Sequence, residues 1–110
     1  MVKKTEEKEK AFNNWKHNAI HLTFPNGNRI STIWGYGTYS DNHDRPDLDR
    51  ESDASLPFNT FMDSDTVEIM VLEAPEKLLK KINKKYGDGD TVCGYLTMKE
   101  WLEVIRLLSK

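Results

Sequence analysis

A hairpin encoded within residues 18–36 constrains the fold more than any other feature of the sequence. "NAIHLTF" alternates apolar and polar residues, and "RISTIWGY" alternates again after the turn sequence "PNGN". Pro25 fixes its own φ, and Gly27 suits a left-handed turn position. A three-residue loop over residues 25–27 would place Leu22 opposite Ile30. This register keeps the apolar side chains on one face, so we predict two antiparallel strands joined by that loop.

Two helices and two more strands are predicted after a long polar segment. "DTVEIMVLE" alternates like a strand, and its second face carries Met70 and Leu72, so we expect it to be covered on both sides. Pro75 begins and Gly87 ends a predicted helix whose lysines face outward. "TVCGYL" predicts a short strand, and Thr97 opens the capping-box sequence "TMKE" of a second helix. The apolar stripe predicted for that helix comprises Met98, Trp101, Leu102, Ile105 and Leu108.

This order of elements predicts an α+β domain. We expect a small antiparallel β-sheet of about four to five strands with two helices, the C-terminal one packed on one face. Residues 1–16 are mostly lysine and glutamate, so we predict a flexible or weakly helical tail there and a single domain over residues 17–110. Residues 38–61 form a long acidic loop within that domain. Loops of this length tend to be functional or disordered.

The composition argues against several classes of protein. No apolar run approaches the roughly 18 residues of a membrane span, and the lysine-rich start lacks the apolar region of a signal peptide. The single Cys93 cannot form an internal disulfide. These features favour a cytoplasmic protein. A chain of 110 residues buries a modest core, which favours a homo-oligomer.

Charge is segregated along the chain. Residues 41–68 carry nine acidic side chains and two arginines, whereas residues 76–85 carry five lysines and one glutamate. The lysines are not interleaved with aromatic residues, so we do not expect direct nucleic-acid binding. An acidic segment can steer a protein partner by its field. The candidate partner-binding residues are Asp47, Asp49, Glu51 and Asp53.

Residues 34–44, "WGYGTYSDNHD", are the strongest candidate for a ligand site. Their glycines do not make a dinucleotide fingerprint, because no helix follows and Ser40 replaces the third glycine. Aromatic faces stack bases, while Asn and Asp bind base edges and ribose hydroxyls. We expect Trp34 and Tyr36 to lie mainly in the core and Tyr39 to be exposed for stacking. The candidate ligand-binding residues are Trp34, Tyr36, Tyr39, Asp41, Asn42, His43, Arg29 and Arg45.

The roles of these residues leave alternatives open. In the ligand hypothesis Asp41 and Asn42 would form hydrogen bonds to the ligand, and Arg29 or Arg45 would contact a phosphate. In a purely structural interpretation Asp41 and Asn42 form Asx turns and His43 caps the loop. His43 with its neighbouring carboxylates is also the centre of an alternative hypothesis, a metal-dependent hydrolase. We favour the structural role over catalysis, and we expect no catalytic residue, no metal and no cofactor.

The motifs "FPNG", "WGYGTYSDNHD", "DTVEIMVL" and "VCGYLTMKEWLEVI" resemble those of a group of small phage and prophage proteins of uncharacterised function. The group has an NG hairpin, a GxG(N/T)Y(S/C)DN loop and a C-terminal GY helix, and the resemblance covers residues 20–108. Thr38 stands where we expect asparagine, and Ser40 where cysteine is frequent. The resemblance implies a non-enzymatic counter-defence protein. Such a protein would sequester a nucleotide-type signal in an oligomer, or inhibit a host defence enzyme of the CRISPR or restriction type through the acidic loop.

Overall fold

The computed structural model describes residues 12–13, 18–46 and 63–110, and it shows an α+β fold. The elements in chain order are β1 (Phe12–Asn13), β2 (Asn18–Thr23), β3 (Arg29–Trp34), β4 (Thr66–Glu73), α1 (Glu76–Gly87), β5 (Val92–Thr97) and α2 (Met98–Leu108). Within the described residues, five strands form one antiparallel sheet in the order β1-β2-β3-β4-β5. The helices pack on this sheet, so the predicted fold class is confirmed.

The β2–β3 hairpin has the predicted register. Leu22 lies opposite Ile30, and residues 25–27 form a three-residue loop. The backbone N–H of Gly27 donates to the carbonyl of Phe24 at 2.9 Å, which closes the turn. Gly27 has a φ of 91°, a conformation that side-chain-bearing residues rarely adopt. The glycine is therefore what allows the two apolar strand faces to stay in register.

The hairpin also caps the C-terminal end of α2. The last carbonyls of a helix have no partners within it. Asn26 Nδ2 donates to the carbonyl of Leu108 at 2.7 Å, and Asn28 Nδ2 donates to the same carbonyl at 2.8 Å. Asn26 Oδ1 in turn accepts from the backbone N–H of Asn28 at 2.8 Å. These contacts fix the end of α2 over the hairpin loop.

The core lies between the two helices and one face of the sheet. Its buried residues are Ile30, Ile69, Val71, Ile82, Cys93, Leu96, Val104 and Leu108. Helix α2 begins with the predicted capping box, in which Glu100 N–H donates to Thr97 Oγ1. Met98 and Leu102, however, are 65% and 52% exposed. Their predicted place in the buried stripe is wrong, because the sheet covers only the neighbouring stripe that contains Val104.

Two other predicted details of the elements are wrong. Met70 and Leu72 are exposed, so β4 is an interior strand that is covered fully on one face only. Pro75 is the N-cap of α1 and not its first helical residue, so the helix begins at Glu76, one residue later than predicted. Asp88, with a φ of 53°, takes the left-handed position after the helix. Gly87 is the last residue of α1, as predicted, and it also has a packing role. A Cβ atom there would lie 2.8 Å from the sulfur of Cys93, so the glycine allows α1 to approach β5 closely.

Much of the predicted tail and of the predicted acidic loop lies outside the described residues. The structure adds β1, a two-residue strand paired with β2, within the segment where the sequence predicts a tail. The candidate partner-binding residues Asp47, Asp49, Glu51 and Asp53 also lie outside the described residues. Neither α1 nor α2 has the length and apolar content needed to cross a membrane.

Candidate functional site

Residues 35–45, called here the Gly35–Arg45 loop, are held together by buried polar side chains. Thr38, Ser40 and Asn42 are buried, and Ser40 is only 1% exposed. Thr38 Oγ1 donates to the carbonyl of Gly35 at 2.8 Å and accepts from its N–H at 3.0 Å. Because Thr38 has a single hydroxyl proton, Ser40 must be the donor in the 2.7 Å contact between the two hydroxyls. Ser40 Oγ in turn accepts from the N–H of Asn42. Both hydroxyls therefore have their hydrogen-bond partners inside the loop.

Several side-chain hydrogen bonds tie this loop to β4 and the residues before it, among them one from the N–H of Tyr39 to Glu68 Oε1 at 2.9 Å. Asn42 Nδ2 donates to the carbonyl of Asp63 at 2.9 Å. Thr66 Oγ1 accepts from the N–H of Asp41 at 2.9 Å and donates to Asp41 Oδ1 at 2.8 Å. The structure therefore gives Asp41 and Asn42 structural roles, but not through the predicted Asx turns. The side chain that closes the turn is the hydroxyl of Ser40.

Tyr39 and His43 stack on each other at the surface of the loop. Their ring centroids are 5.8 Å apart and the planes differ by 11°. His43 Nδ1 lies 2.9 Å from the carbonyl of Thr38, which can only accept, so Nδ1 carries a proton and the ring caps the loop as predicted. The carbonyl of Tyr39 accepts from the N–H of Tyr95, and a Cβ atom on Gly94 would lie 2.6 Å from Tyr39 Cβ. Tyr39 is 51% exposed as predicted, but it already has a stacking partner and fastens the loop to β5.

A cavity of about 310 Å³ lies near the end of β3 and the start of α2, and we call it the tryptophan cavity. Two indoles, those of Trp34 and Trp101, line it. The cavity is also lined by the apolar side chains of Ile20, Val67, Leu96 and Met98. Among the described residues, the polar side chains that line it are those of Thr32, Asp63, Ser64 and Asp65. Of the predicted ligand-binding residues, this cavity contains Trp34 alone.

Thr32 is the buried polar group of the tryptophan cavity. It is 2% exposed, and its hydroxyl oxygen accepts a hydrogen bond from Trp101 Nε1 at 2.9 Å. This bond orients the indole of Trp101, which belongs to α2, against β3. Asp63 and Asp65 are exposed, and in the described part of the chain neither carboxylate makes a hydrogen bond or an ion pair. The cavity thus combines an apolar wall with an acidic rim.

A second, polar hollow of about 270 Å³ adjoins the tryptophan cavity through Asp63 and Asp65. Asp41, Asn42 and Arg45 also line it. Among the described residues, three carboxylates therefore line the same hollow as Arg45. A phosphate group in this hollow would face a net negative charge, which disfavours the predicted contact between Arg45 and a phosphate.

One predicted site residue, Arg29, lies apart from the rest, and a second, Tyr36, is more exposed than predicted. Arg29 is the first residue of β3 and pairs with Glu73, whereas Trp34 is the last residue of that strand. A strand rises about 3.3 Å per residue, so roughly 17 Å separate Arg29 from Trp34. Tyr36 is 42% exposed, so its predicted position in the core is wrong. Strand β3 ends at Trp34, and Tyr36 therefore no longer follows the alternation of the strand.

The metal-dependent hydrolase stays a hypothesis. Among residues 12–13, 18–46 and 63–110, no three His, Cys, Asp or Glu side chains are grouped so that they could hold a metal ion. His43 Nε2 lies 3.9 Å from Asp44 Oδ1, and both side chains are substantially exposed. Cys93 is a core residue, and its burial raises the pKa of the thiol above the ordinary value.

Sequence reasoning did not assign Thr32 or Trp101 to a site, and it placed Asp63 and Asp65 only in the acidic segment of the protein-binding alternative. These residues come from β3, from the segment before β4 and from α2, so no single stretch of sequence presents them together. One signal was available, because Thr32 is a polar residue on the apolar face of β3. No match to this chain was found among family models, curated proteins or solved structures.

Proposed function

We propose that the protein is a non-enzymatic binding protein that holds the flat ring of a nucleoside-type ligand in the tryptophan cavity. The observation that carries this proposal is the cavity itself, with about 310 Å³ of space and two indole side chains in its lining. This volume is at the lower end of the range of small-molecule sites, which is enough for one ring system with a short substituent. Indole faces are favourable surfaces for the rings of bases.

The charges near the cavity favour the nucleoside part of a ligand over its phosphate. Asp63 and Asp65 line the cavity, and Arg45 shares the adjoining hollow with three carboxylates. Arg29 lies at the opposite end of β3. A phosphate next to these carboxylates is repelled, so in this proposal any phosphate of the ligand points away from the cavity into solvent.

The resemblance to small phage proteins supplies the biological setting of the proposal. In that setting the protein is a cytoplasmic, phage-encoded counter-defence protein, and a homo-oligomer that sequesters a host signal with a nucleoside moiety. Met98 and Leu102 are the exposed apolar residues of α2. Two side chains provide much less than the roughly 800 Å² per partner of a stable interface, so this patch alone does not support a dimer. If light scattering gives the mass of a monomer, the homo-oligomer is no longer part of the proposal, whereas the proposed ligand site in the cavity is unaffected.

A calorimetric titration with adenosine tests the binding proposal. A ligand of about 19 non-hydrogen atoms gains roughly 6 kcal/mol at 0.3 kcal/mol per atom, which corresponds to a Kd on the order of 0.1 mM. We expect Trp34→Leu to abolish binding, because it removes one indole from the cavity lining. Tyr36→Leu is the matched control, since it removes an exposed aromatic ring two residues later that does not line the cavity. No heat of binding with any nucleoside at millimolar concentration would overturn the proposal.

A second measurement distinguishes a ligand from the chain's own residues. Phe61 and Met62 directly precede Asp63 in the sequence. Adenosine should shift the indole N–H resonances of Trp34 and Trp101. If Phe61→Ser shifts these resonances in the absence of ligand and adenosine does not, the chain itself fills the cavity and the proposal is wrong.

A further inference from the structure

We infer that the tryptophan cavity selects an amino-substituted nitrogen heterocycle, such as adenine, over a ring that carries a carbonyl group in place of the amino group. This inference rests on the proposed function, because it names the class of base that the same cavity takes. It is carried by two separate observations, one at the buried wall and one at the acidic residues of the cavity.

The first observation is the hydroxyl proton of Thr32. The oxygen of Thr32 accepts from Trp101 Nε1, and this is the hydroxyl group's only hydrogen bond to the protein within the described residues. Thr32 is 98% buried and lines the cavity. A buried hydroxyl whose proton has no acceptor is costly, because it has lost its hydrogen bond to water. The hydroxyl can therefore donate to an acceptor atom of a ligand, such as a ring nitrogen.

The second observation is the pair of carboxylates on Asp63 and Asp65. Both residues line the cavity, and neither carboxylate has a hydrogen-bond or ion-pair partner in the described chain. An ionised carboxylate accepts hydrogen bonds and cannot donate them. An amino group on the ring can donate to such an oxygen. A carbonyl oxygen at the same position meets another acceptor and is repelled.

Together these groups specify a donor and acceptor pattern for the ligand. The ring needs an acceptor atom towards Thr32 and an amino donor towards Asp63 or Asp65. Adenine carries ring nitrogens and one exocyclic amino group, so it fits the pattern. Hypoxanthine has the same size but carries a carbonyl in place of the amino group and an N–H in place of the adjacent ring nitrogen. It therefore presents an acceptor where the carboxylates need a donor, and a donor where adenine offers an acceptor.

Titrations with adenosine, purine riboside and inosine test the inference at the acidic residues. We expect adenosine to bind tightest, purine riboside more weakly because it lacks the amino donor, and inosine about tenfold more weakly than adenosine. Asp63→Asn and Asp65→Asn provide the matched variants, because an amide can donate to the carbonyl of inosine. At least one of them should reduce the preference for adenosine to near unity.

Variants of Thr32 test the buried wall. Thr32→Val should weaken adenosine binding about tenfold, whereas Thr32→Ser, which keeps the hydroxyl, should retain the affinity. Thr32→Val also removes the acceptor of Trp101 Nε1. The comparison is therefore repeated in the Trp101→Phe background, which keeps an aromatic ring in the cavity lining but has no indole N–H to leave unpaired, and the affinity is measured relative to Trp101→Phe alone.

The outcomes separate the inference from the proposed function. If no nucleoside binds, the proposed function and the inference both fail. If adenosine and inosine bind equally, or if Thr32→Val keeps full affinity in the Trp101→Phe background, the cavity binds bases without this selection and the inference alone is overturned.

Discussion

The Gly35–Arg45 loop and the tryptophan cavity both adjoin the end of β3, but they differ in how their polar groups are satisfied. In the loop, the buried hydroxyls of Thr38 and Ser40 and the amide of Asn42 all have protein partners. In the cavity, the hydroxyl proton of Thr32 and the carboxylates of Asp63 and Asp65 have none in the described chain. In the sequence, the loop has more of the residue types expected of a binding site. In the structure, the cavity has more of the polar groups that remain available to a ligand.

This difference shows what a polar, aromatic stretch of sequence can mean. A long turn must satisfy many backbone groups without a regular ladder, and short polar side chains such as Thr and Ser do this locally. A binding site instead needs polar groups that remain available for a ligand. The comparison predicts that substitutions in the loop lower stability, whereas substitutions at the cavity change ligand affinity.

The largest expected effect on the packing of the loop is that of Gly94→Ala, in β5. The new Cβ atom would lie 2.6 Å from Tyr39 Cβ and 3.3 Å from the carbonyl oxygen of Tyr39, so the loop must shift away from β5. We expect a loss of about 1–3 kcal/mol in the free energy of unfolding, as measured by urea denaturation. The cost should decrease in a Tyr39→Gly background, which removes the closest atom. An equal cost in both backgrounds would show that this contact does not limit the packing.

Ser40→Ala should have the next largest effect. It removes the donor to Thr38 and the acceptor of the Asn42 N–H at a fully buried position, so we expect a loss of about 1–2 kcal/mol. Adenosine affinity should be unchanged, because Ser40 does not line the tryptophan cavity. Asp44→Ala is the control, since its side chain is 98% exposed and its replacement should cost less than about 0.5 kcal/mol. A stability of Ser40→Ala equal to that of Asp44→Ala would contradict the proposed role of the hydroxyl network.

Thr97→Ala tests the cavity from the side of α2. Loss of the helix N-cap should lower the free energy of unfolding by about 1 kcal/mol. It should also loosen the first turn of α2, whose residues Met98 and Trp101 line the cavity. Adenosine affinity should therefore decrease as well, unlike in Ser40→Ala. Ser109→Ala, at the other end of the helix, should leave the affinity unchanged. If Thr97→Ala, Ser40→Ala and Ser109→Ala bind adenosine with equal affinity, the first turn of α2 does not shape the cavity.

The smallest effect is expected far from both regions, at the ion pair between Lys85 and Glu103. Lys85 Nζ donates to Glu103 Oε1 at 2.6 Å, which holds the pKa of the carboxyl below its ordinary value and raises the pKa of the amine. The contribution of Glu103 to stability is present above its unfolded pKa and is lost as the pH falls through its lower folded pKa. The contribution of Lys85 is present below its unfolded pKa and is lost as the pH rises through its higher folded pKa.

At pH values between the unfolded pKa of Glu103 and the unfolded pKa of Lys85, the contribution of the ion pair to the free energy of unfolding should not change with pH. The Lys85 side chain is exposed and that of Glu103 is partly exposed, so solvent screens the pair and its total contribution should be small. A double-mutant cycle with Lys85→Met and Glu103→Gln, measured at neutral and acidic pH, checks the sign. A coupling that grows as the pH falls would contradict it.

The sequence predicts the fold well where a local pattern decides the structure. The alternation around "PNGN" and the favourable conformation of Gly27 determine the hairpin register, and the Thr97 capping box determines the start of α2. The errors concern which side of an element faces the core. The exposure of Met98 and Leu102 depends on the position of the sheet under α2, and their spacing alone does not contain that information.

The candidate site was much harder to predict. Tyr39 is exposed and His43 caps its loop, as predicted, but Arg29 lies at the opposite end of β3. The sequence does not show that Thr32 meets Trp101, because the two residues are 69 positions apart and meet only through the packing of α2 on the sheet. A motif search favours neighbours in sequence, whereas this cavity is assembled by tertiary contacts.

The hydrogen bonds from Asn26 and Asn28 to the carbonyl of Leu108 join residues 82 and 80 positions apart. Such contacts cannot form until the intervening strands and helices are in place, because closing so long a segment of chain has a large entropic cost. We therefore expect the contacts between the hairpin tip and α2 to form late in folding, although the turn sequence of the tip is the strongest local signal in the chain. In native-state hydrogen exchange, the amides of the tip and those of the last turn of α2 should open together as one cooperative unit.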